Sequence, residues 1–374
     1  MISVNFGTTI HMGEDSLERL AQFTQERIYI ITDDYISKSE IMTKVKSIIP
    51  STNEVLVYSE VIPDPPIDNI VSGIEYAKDF DPTKIVAIGG GSALDAAKGI
   101  IYFGRQSNSF KDVSLICIPT TSGTGSEVTN FSIITDAENE TKYPLVTDEI
   151  LPDEAILNTA LVMNLPPSQT ANTGIDVLTH AIEAFVSTNS SDISDALAEK
   201  AIKLVFNYLP RAYKDGSDTM AREKMHIAST LAGLAFNQAS LGLNHGIAHA
   251  AGAKFHIPHG RLNGILLPYV IKFNSGMNSS LDAKVAGRYR EIAQGLNLQA
   301  SSATIGTRSL INAINKLLRE IDVPQSFSQY GLDKAIFESN LSSIAESAVK
   351  DMTTRTNPRN VTPKDVEQIL KEAY

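Results

Sequence analysis

The sequence predicts an α/β N-terminal domain with a mainly parallel sheet, followed by an all-α C-terminal domain. Three observations carry that expectation. Short β-rich runs alternate with helical stretches over roughly the first 155 residues. From about Leu165 the apolar residues recur with a period near 3.6, and no convincing strand interrupts them. A chain of 374 residues that is 43% hydrophobic and 20% charged is long enough for about two domains, each with its own core.

The start, "MISVNFGTTIHMG", alternates as a strand or hairpin does. It has neither a basic n-region nor an apolar h-region, so it does not read as a signal peptide. "RIYIITDD" (27–34), "EVLVYSE" (54–60), "KIVAIGGG" (84–91) and "VSLICIPTT" (113–121) each hold a β-branched core and read as strands. Between the second and third, Ile67, Ile70, Val71, Ile74 and Ala77 make a helical stripe. After the third, "SALDAAKGIIYF" reads as a helix packed closely on the sheet. Strands separated by helices imply βαβ units and a parallel sheet. The boundary falls in "LPDEAILNTALVMNLPPSQ", where Pro166 and Pro167 stop the preceding element, giving domains 1–160 and 161–374. Beyond it, "TGIDVLTHAIEAFVS", "SDALAEKAIKLVFNYLPRAY", "AREKMHIASTLAGLAFNQASL" and the last segment "PKDVEQILKEAY" are helical. With no internal repeat or linker, the two domains are expected to pack with a cleft between them, a common place for ligands.

The formal charge of −11 argues against nucleic acid as a partner, because phosphates need a basic footprint. No apolar run approaches the ~20 residues that span a bilayer. Cys117 is the single cysteine, so no disulfide forms within the chain, which fits a reducing cytoplasm. Its place in the apolar run "LICIP" predicts a buried, inert thiol.

Two loops suit a nucleotide. "AIGGGSALDAAKG" (87–99) is neither a G-x-G-x-x-G fingerprint, since Leu94 stands where the last glycine belongs, nor a P-loop, since Lys98 precedes a glycine. What remains is a strand, three glycines, a serine and a helix start. Such a turn lets backbone N–H groups approach a phosphate at a positive dipole end. Asp95, read as part of the first helical turn, suits that dipole. The second loop, "PTTSGTGSEVTN" (119–130), offers hydroxyls and N–H groups at the same sheet edge, where open α/β sheets bind ligands. It is not a G-x-S-x-G elbow, so a serine nucleophile is not expected.

Histidines predict the metal. Four of the seven lie in "HGIAHAAGAKFHIPHG" (245–260). Asp176 and His180 are one helical turn apart, as are His245 and His249. Pro258 ends one helix and His259 starts another, so a turn of the chain could bring His259 back to His245. Asp176, His180, His245 and His259 would then form an N₃O set suited to Fe²⁺ or Zn²⁺. His249 is a fifth ligand, an outer partner or a proton carrier. His256 is expected to be peripheral, and His11 and His226 structural.

With these motifs in hand, the chain resembles the group III iron-dependent alcohol dehydrogenases over nearly its full length. The likeness rests on "GGGSALDAAK", "PTTSGTGSEVTNFSIITD", "GIDVLTHAIEAFVS" and "GLNHGIAHAAGAKFHIPHGRLNGILLP". "QTANTGIDVLTH", "DALAEKAIKLVFNYLP" and "TRTNPR" most resemble the branch that serves propanediol utilisation, which implies packaging in a bacterial microcompartment. The resemblance implies a dehydroquinate synthase-like fold, with a dinucleotide-binding α/β domain before a helical metal-binding domain. It implies iron at Asp176, His180, His245 and His259, and His249 near the nicotinamide. For NAD it implies contacts at Gly90, Gly91, Ser92, Asp95, Thr120, Thr121, Thr124 and Lys142. Asp33 matches the position that selects NAD, where a carboxylate accepts from ribose hydroxyls and repels a 2′-phosphate. A homodimer or larger homo-oligomer follows from the same likeness. "PDPP" (63–66) and "ILNT" (156–159) depart from the family pattern, which affects the adenine-side contact at Asp64 and the hinge.

The activity implied is reversible hydride transfer between NAD(H) and a short primary alcohol or aldehyde. Its rivals are a lyase or cyclase using bound NAD transiently, like dehydroquinate synthase, and a non-catalytic nucleotide- or metal-binding module. A lyase of that kind handles phosphorylated substrates and needs several cations near the metal. Segment 232–270 holds only Lys254 and Arg261.

Overall fold

The computed structural model describes residues 4–136, 141–277 and 280–374, with Thr141 and Lys142 described in backbone only. The chain divides into two compact units, Met1–Asn164 and Leu165–Tyr374.

In the first unit, β1 (Thr9–Met12), β2 (Arg27–Asp33), β3 (Glu54–Val61), β4 (Lys84–Gly89), β5 (Ser114–Pro119) and β8 (Glu154–Leu157) form one sheet. Its order is β1-β8-β5-β4-β2-β3, and each neighbouring pair is parallel. The inner strands β2, β4, β5 and β8 are buried almost without a break because both of their faces are covered, whereas the edge strands β1 and β3 are partly exposed. Their period of two then sorts the side chains. Ile28, Ile30, Val86, Ile88, Ile116 and Ile118 pack against Leu17, Leu20, Phe23 and the buried side of α2 (Glu40–Ile48), which follows the short α1 (Asp34–Ser37). Tyr29, Ile31, Ile85, Ala87, Leu115 and Cys117 pack against α3 (Ile67–Ala77) and α4 (Gly91–Gln106). Burial pushes the Cys117 thiol up to about 12, so it stays protonated and inert.

The first stretch takes one of the two forms expected of it: a strand, not a hairpin, at the sheet edge and parallel to β8, with Thr9 opposite Glu154. Two features differ from the expectation. The stretch read as a boundary supplies β8, four residues long, too short to show a period. After the second polar loop the chain folds into an antiparallel pair, β6 (Phe131–Asp136) and β7 (Thr141–Val146).

The second unit is helical, and no strand occurs among its described residues. It comprises α5 (Pro167–Val186), α6 (Asp192–Lys214), α7 (Thr219–Ala239), α8 (Leu243–Phe255), α9 (His259–Asn274), α10 (Ala283–Gly295), α11 (Ala303–Glu320), α12 (Phe327–Tyr330), α13 (Lys334–Lys350) and α14 (Pro363–Ala373). Pro167 at the first position of α5 has no N–H to leave unpaired. Capping boxes at Ser191 and Thr362 start α6 and α14. Every residue from Gly174 to Val186 in α5 is buried, with α6, α7 and α9 packed around it. Asp176 and His180 therefore lie inside the unit, where ionisable side chains persist only with partners.

Candidate metal centre and nucleotide loops

The four histidines of segment 245–260 are distributed by two helices and one turn. His245 and His249 sit one turn apart on α8, which ends at His256 in a left-handed conformation. Pro258 precedes α9, whose first residue is His259. Gly260 is required there, because a Cβ would stand 2.0 Å from the carbonyl oxygen of Asn172 on α5. That approach draws the start of α9 onto the helix bearing Asp176 and His180.

Asp176, His180 and His245 are buried and each offers a ligand atom within 4.8 Å of the other two. His259 stands at the more open side, its side chain 39% exposed, with Nε2 3.6 Å from Asp176 Oδ1. His245 Nε2 is likewise 3.6 Å from that oxygen. Ligands ~2.1 Å from an ion at tetrahedral angles stand about 3.4 Å apart, so these separations fit a divalent first-row ion. One carboxylate and three imidazoles are also the right donors for it. The rings are ordered by stacking: His180 lies between Phe236 and His245, at centroid distances of 4.7 and 4.5 Å.

Burial alone would raise the pKa of Asp176, but His180, His259 and His245 outweigh it and hold the carboxyl well below the usual range. Burial pulls His245 down, yet Glu183 and Asp176 carry it up to about 9. Burial dominates at His259 and lowers it. The site is thus an electrostatically coupled cluster, one carboxylate against converging rings.

Several of its residues escaped the sequence reading. Glu183 on α5 is buried; its Oε2 contacts His245 Nδ1, and its Oε1 accepts from the Asn244 N–H at 2.7 Å. This fixes the His245 tautomer and leaves Nε2 for an ion. Asn263 donates from Nδ2 to Asp176 Oδ1 at 2.7 Å and accepts at Oδ1 from Asn244 at 2.9 Å. His249 Nδ1 pairs with Asp351 Oδ2 at 2.9 Å, and Thr353 holds Oδ1 through its N–H and hydroxyl. Burial would raise Asp351, but His249 and Thr353 hold its carboxyl well below the usual range. Glu183 and Asn263 had a signal: they fall three residues after His180 and four after His259, on the same helical sides. Asp351, 102 residues from His249, had none.

In the first unit, Gly89 ends β4 with φ +156°, and a Cβ there would meet Ala93 Cβ at 2.6 Å. Gly90 caps α4 and Gly91 begins it, so the first amides of α4 have no intrahelical acceptor. The second loop fits against them: a Cβ on Gly91 would stand 2.6 Å from Thr124 Cγ2, and one on Gly90 3.3 Å from Thr121 Cγ2. The Thr120 N–H donates to the Gly89 carbonyl at 2.9 Å. Asp33 accepts the Ile36 N–H at Oδ1, while Oδ2 faces Gly89. The Asp64 N–H donates to Ser92 Oγ at 3.3 Å, which brings the "PDPP" turn to the glycine loop.

One expectation is corrected: α4 starts at Gly91, so Asp95 lies in its second turn and does not serve the dipole. Instead it braces the second loop, accepting from Ser126 Oγ at 2.7 Å and from the Ile133 N–H at 3.2 Å. Beside it Lys98, fully buried, donates to the carbonyls of Thr129 and Phe131 at 2.7 and 2.8 Å and to Ser126 Oγ at 2.8 Å. The Ser126 carbonyl and Thr129 hydroxyl complete the ring. Burial lowers the pKa of Lys98, and Asp95 works against that. The side chain of Lys142 lies outside the described residues.

A family description of iron-containing alcohol dehydrogenases matches residues 7–159, and a second, for the C-terminal part of that family, matches 170–374. The 1-propanol dehydrogenase PduQ of Citrobacter freundii is 42% identical over 374 residues, 100% of both chains. The structure of an iron-containing alcohol dehydrogenase from Thermococcus thioreducens superposes with a TM-score of 0.91 at 32% identity, covering 100% of this chain and 99% of that one. Sulfoacetaldehyde reductase from Bifidobacterium kashiwanohense, solved in complex with NAD⁺, gives 0.89 at 26% identity, covering 100% and 98%.

Proposed function

The chain belongs to the iron-containing alcohol dehydrogenase family, and on that footing we propose short primary alcohols and their aldehydes as its substrates. It is an oxidoreductase that interconverts alcohol and aldehyde with NAD and iron. When bound, the ion supplies Lewis-acid polarisation of the substrate oxygen, and the nicotinamide takes or returns a hydride.

In this assignment Asp176, His180, His245 and His259 hold the ion, and the observation that carries it is their convergence from α5, α8 and α9. Glu183 keeps the proton of His245 on Nδ1. His249 handles the substrate proton. Asp351 occupies its Nδ1, so Nε2 is the atom that takes a proton from an alcohol or returns one to an aldehyde oxygen. Gly90, Gly91 and Ser92 present amides to the pyrophosphate at the start of α4. Thr120, Thr121 and Thr124 supply hydroxyls from the second loop, and Asp33 accepts from the adenosine ribose. Asp95 serves by bracing that loop, and Lys142 is carried over on the resemblance alone. The scarcity of cations in segment 232–270, where Arg261 is engaged by Asn172 Oδ1 at 3.1 Å, favours a small neutral substrate over a lyase's phosphorylated one. A homodimer or larger oligomer, a cytoplasmic setting and packaging in a microcompartment belong to the same proposal. Among the described residues no helix is long and apolar enough to cross a membrane.

The test is NADH oxidation with propanal and Fe²⁺ under argon, for wild type and His259→Ala. The substitution is expected to remove metal binding and turnover together. A His259→Ala protein that retains both overturns the ligand assignment.

A further inference from the structure

We propose that Asn263 is a positioning residue for the metal: its side-chain amide holds Asp176 and gathers the ligand atoms before an ion arrives. The inference rests on the ligand assignment above.

The orientation of this amide is fixed by its neighbours. Asn244 Nδ2 donates to both the side-chain and the main-chain oxygen of Asn263, at 2.9 and 3.2 Å. Asn263 Oδ1 is therefore the acceptor, and Nδ2 points the other way. There it meets Asp176 Oδ1 at 2.7 Å and the Nε2 atoms of His245 and His259, each at 3.1 Å. Three atoms assigned as ligands thus converge on one nitrogen. Of these contacts the one to the carboxylate is the shortest and charge-assisted, so it has first claim on the two amide hydrogens. When His245 and His259 give their Nε2 lone pairs to a cation, the bond to Asp176 is the one Asn263 keeps.

The brace continues outward. Asn263 is tied to Asn244, whose N–H donates to Glu183 Oε1, and Glu183 Oε2 contacts His245. α5, α8 and α9 are joined by buried polar bonds that surround the ligands, and Asn263 and Asn244 are both 0% exposed. An apolar residue of the same size at 263 keeps the packing but frees Asp176 to reorient. A carboxylate there meets Asp176 with like charge until an ion neutralises both.

Both cases are measurable without turnover. Wild type, Asn263→Leu and Asn263→Asp would be stripped with a chelator and titrated with Co²⁺, following its visible absorption and the melting temperature. Asn263→Leu is expected to bind Co²⁺ 10- to 100-fold more weakly with an altered absorption band. Asn263→Asp is expected to melt lower than wild type when stripped and to gain more on Co²⁺ loading. An Asn263→Leu protein with wild-type affinity and band overturns the proposal. If that variant does not fold, an Asn263→Asp protein with the wild-type Co²⁺-induced shift overturns it instead. Failure of wild type itself to bind Co²⁺ would sink the ligand assignment, a separate outcome.

Discussion

Lys98→Met removes a fully buried ammonium while nearly preserving side-chain volume, so the loss of polar partners, and no sizeable cavity, sets the cost. The ammonium serves three main-chain carbonyls, those of Ser126, Thr129 and Phe131, and two hydroxyls. A buried acceptor left without a donor costs about 1–3 kcal/mol. Asp95 loses its neighbouring cation as well, and removing one partner of a buried charge pair costs about 3–5 kcal/mol. These contributions overlap, so we take roughly 3–5 kcal/mol for the whole. At ~2–4 °C per kcal/mol for a unit of this size, the melting temperature should fall by roughly 6–20 °C. The loop that loses its anchor bears Thr121 and Thr124, so NADH affinity should weaken too, while Co²⁺ binding in the second unit persists. Scanning calorimetry and NADH fluorescence titration read both effects. A Lys98→Met protein melting within about 2 °C of wild type, with unchanged NADH affinity, would refute the view that this ammonium holds the loop.

Gly91→Ala should raise the NADH dissociation constant by about 5- to 150-fold, because its Cβ would stand 2.6 Å from Thr124 Cγ2 and overpacking of that kind costs about 1–3 kcal/mol; isothermal titration measures it. Asp33→Gly should shift the NADP-to-NAD preference toward NADP by about 10- to 100-fold, some 1.4–2.8 kcal/mol, since it removes the repelling carboxylate. Replacing a cap by glycine costs only a few tenths of a kcal/mol, so paired steady-state assays should show a change of cofactor preference with little loss of stability. Glu154→Gln tests a pH dependence. The hydrogen bond from Arg19 leads in lowering the Glu154 pKa from its ordinary 4.5, with burial opposing it. Stability from that carboxylate is complete above pH 4.5 and is lost as pH falls through the folded-state value. The substitution should therefore destabilise at pH 7, by about 1 kcal/mol after allowance for partial exposure, and have no effect in strong acid. Urea unfolding at both extremes checks this, and a pH-independent difference would contradict it.

Much of this molecule was legible because its signals are local. The strands at 27–34, 84–91 and 113–121 are buried on both faces, so their β-branched runs have no polar interruption to blur them. The glycine turn and the break at Pro258 are written in residues that permit few conformations. β8 and the β6–β7 pair were not legible: β8 has four residues and exists through its two neighbours in the sheet, while β6 and β7 pair only with each other and β7 carries Pro144, which reads as a strand breaker. At the metal centre, ligand pairs one helical turn apart were readable, and the same spacing marked Glu183 and Asn263, which hold them. Asp351 meets His249 only through tertiary packing. Lys98 looked like one more helix residue, and nothing nearby in sequence shows that the carbonyls it serves lie 28 to 33 residues downstream.

Gly242 has a consequence for how this centre can diverge. A Cβ at that position would stand 2.9 Å from Glu183 Oε1 and 3.2 Å from Asn357 Oδ1. A larger residue at 242 would press on the carboxylate that orients the His245 ring, while a shorter acid at 183 would leave room that a small side chain at 242 could fill. The two positions therefore constrain each other's substitutions. In a library randomised at both, survivors should be glycine with glutamate, or a small residue with aspartate, and mixed combinations should be depleted.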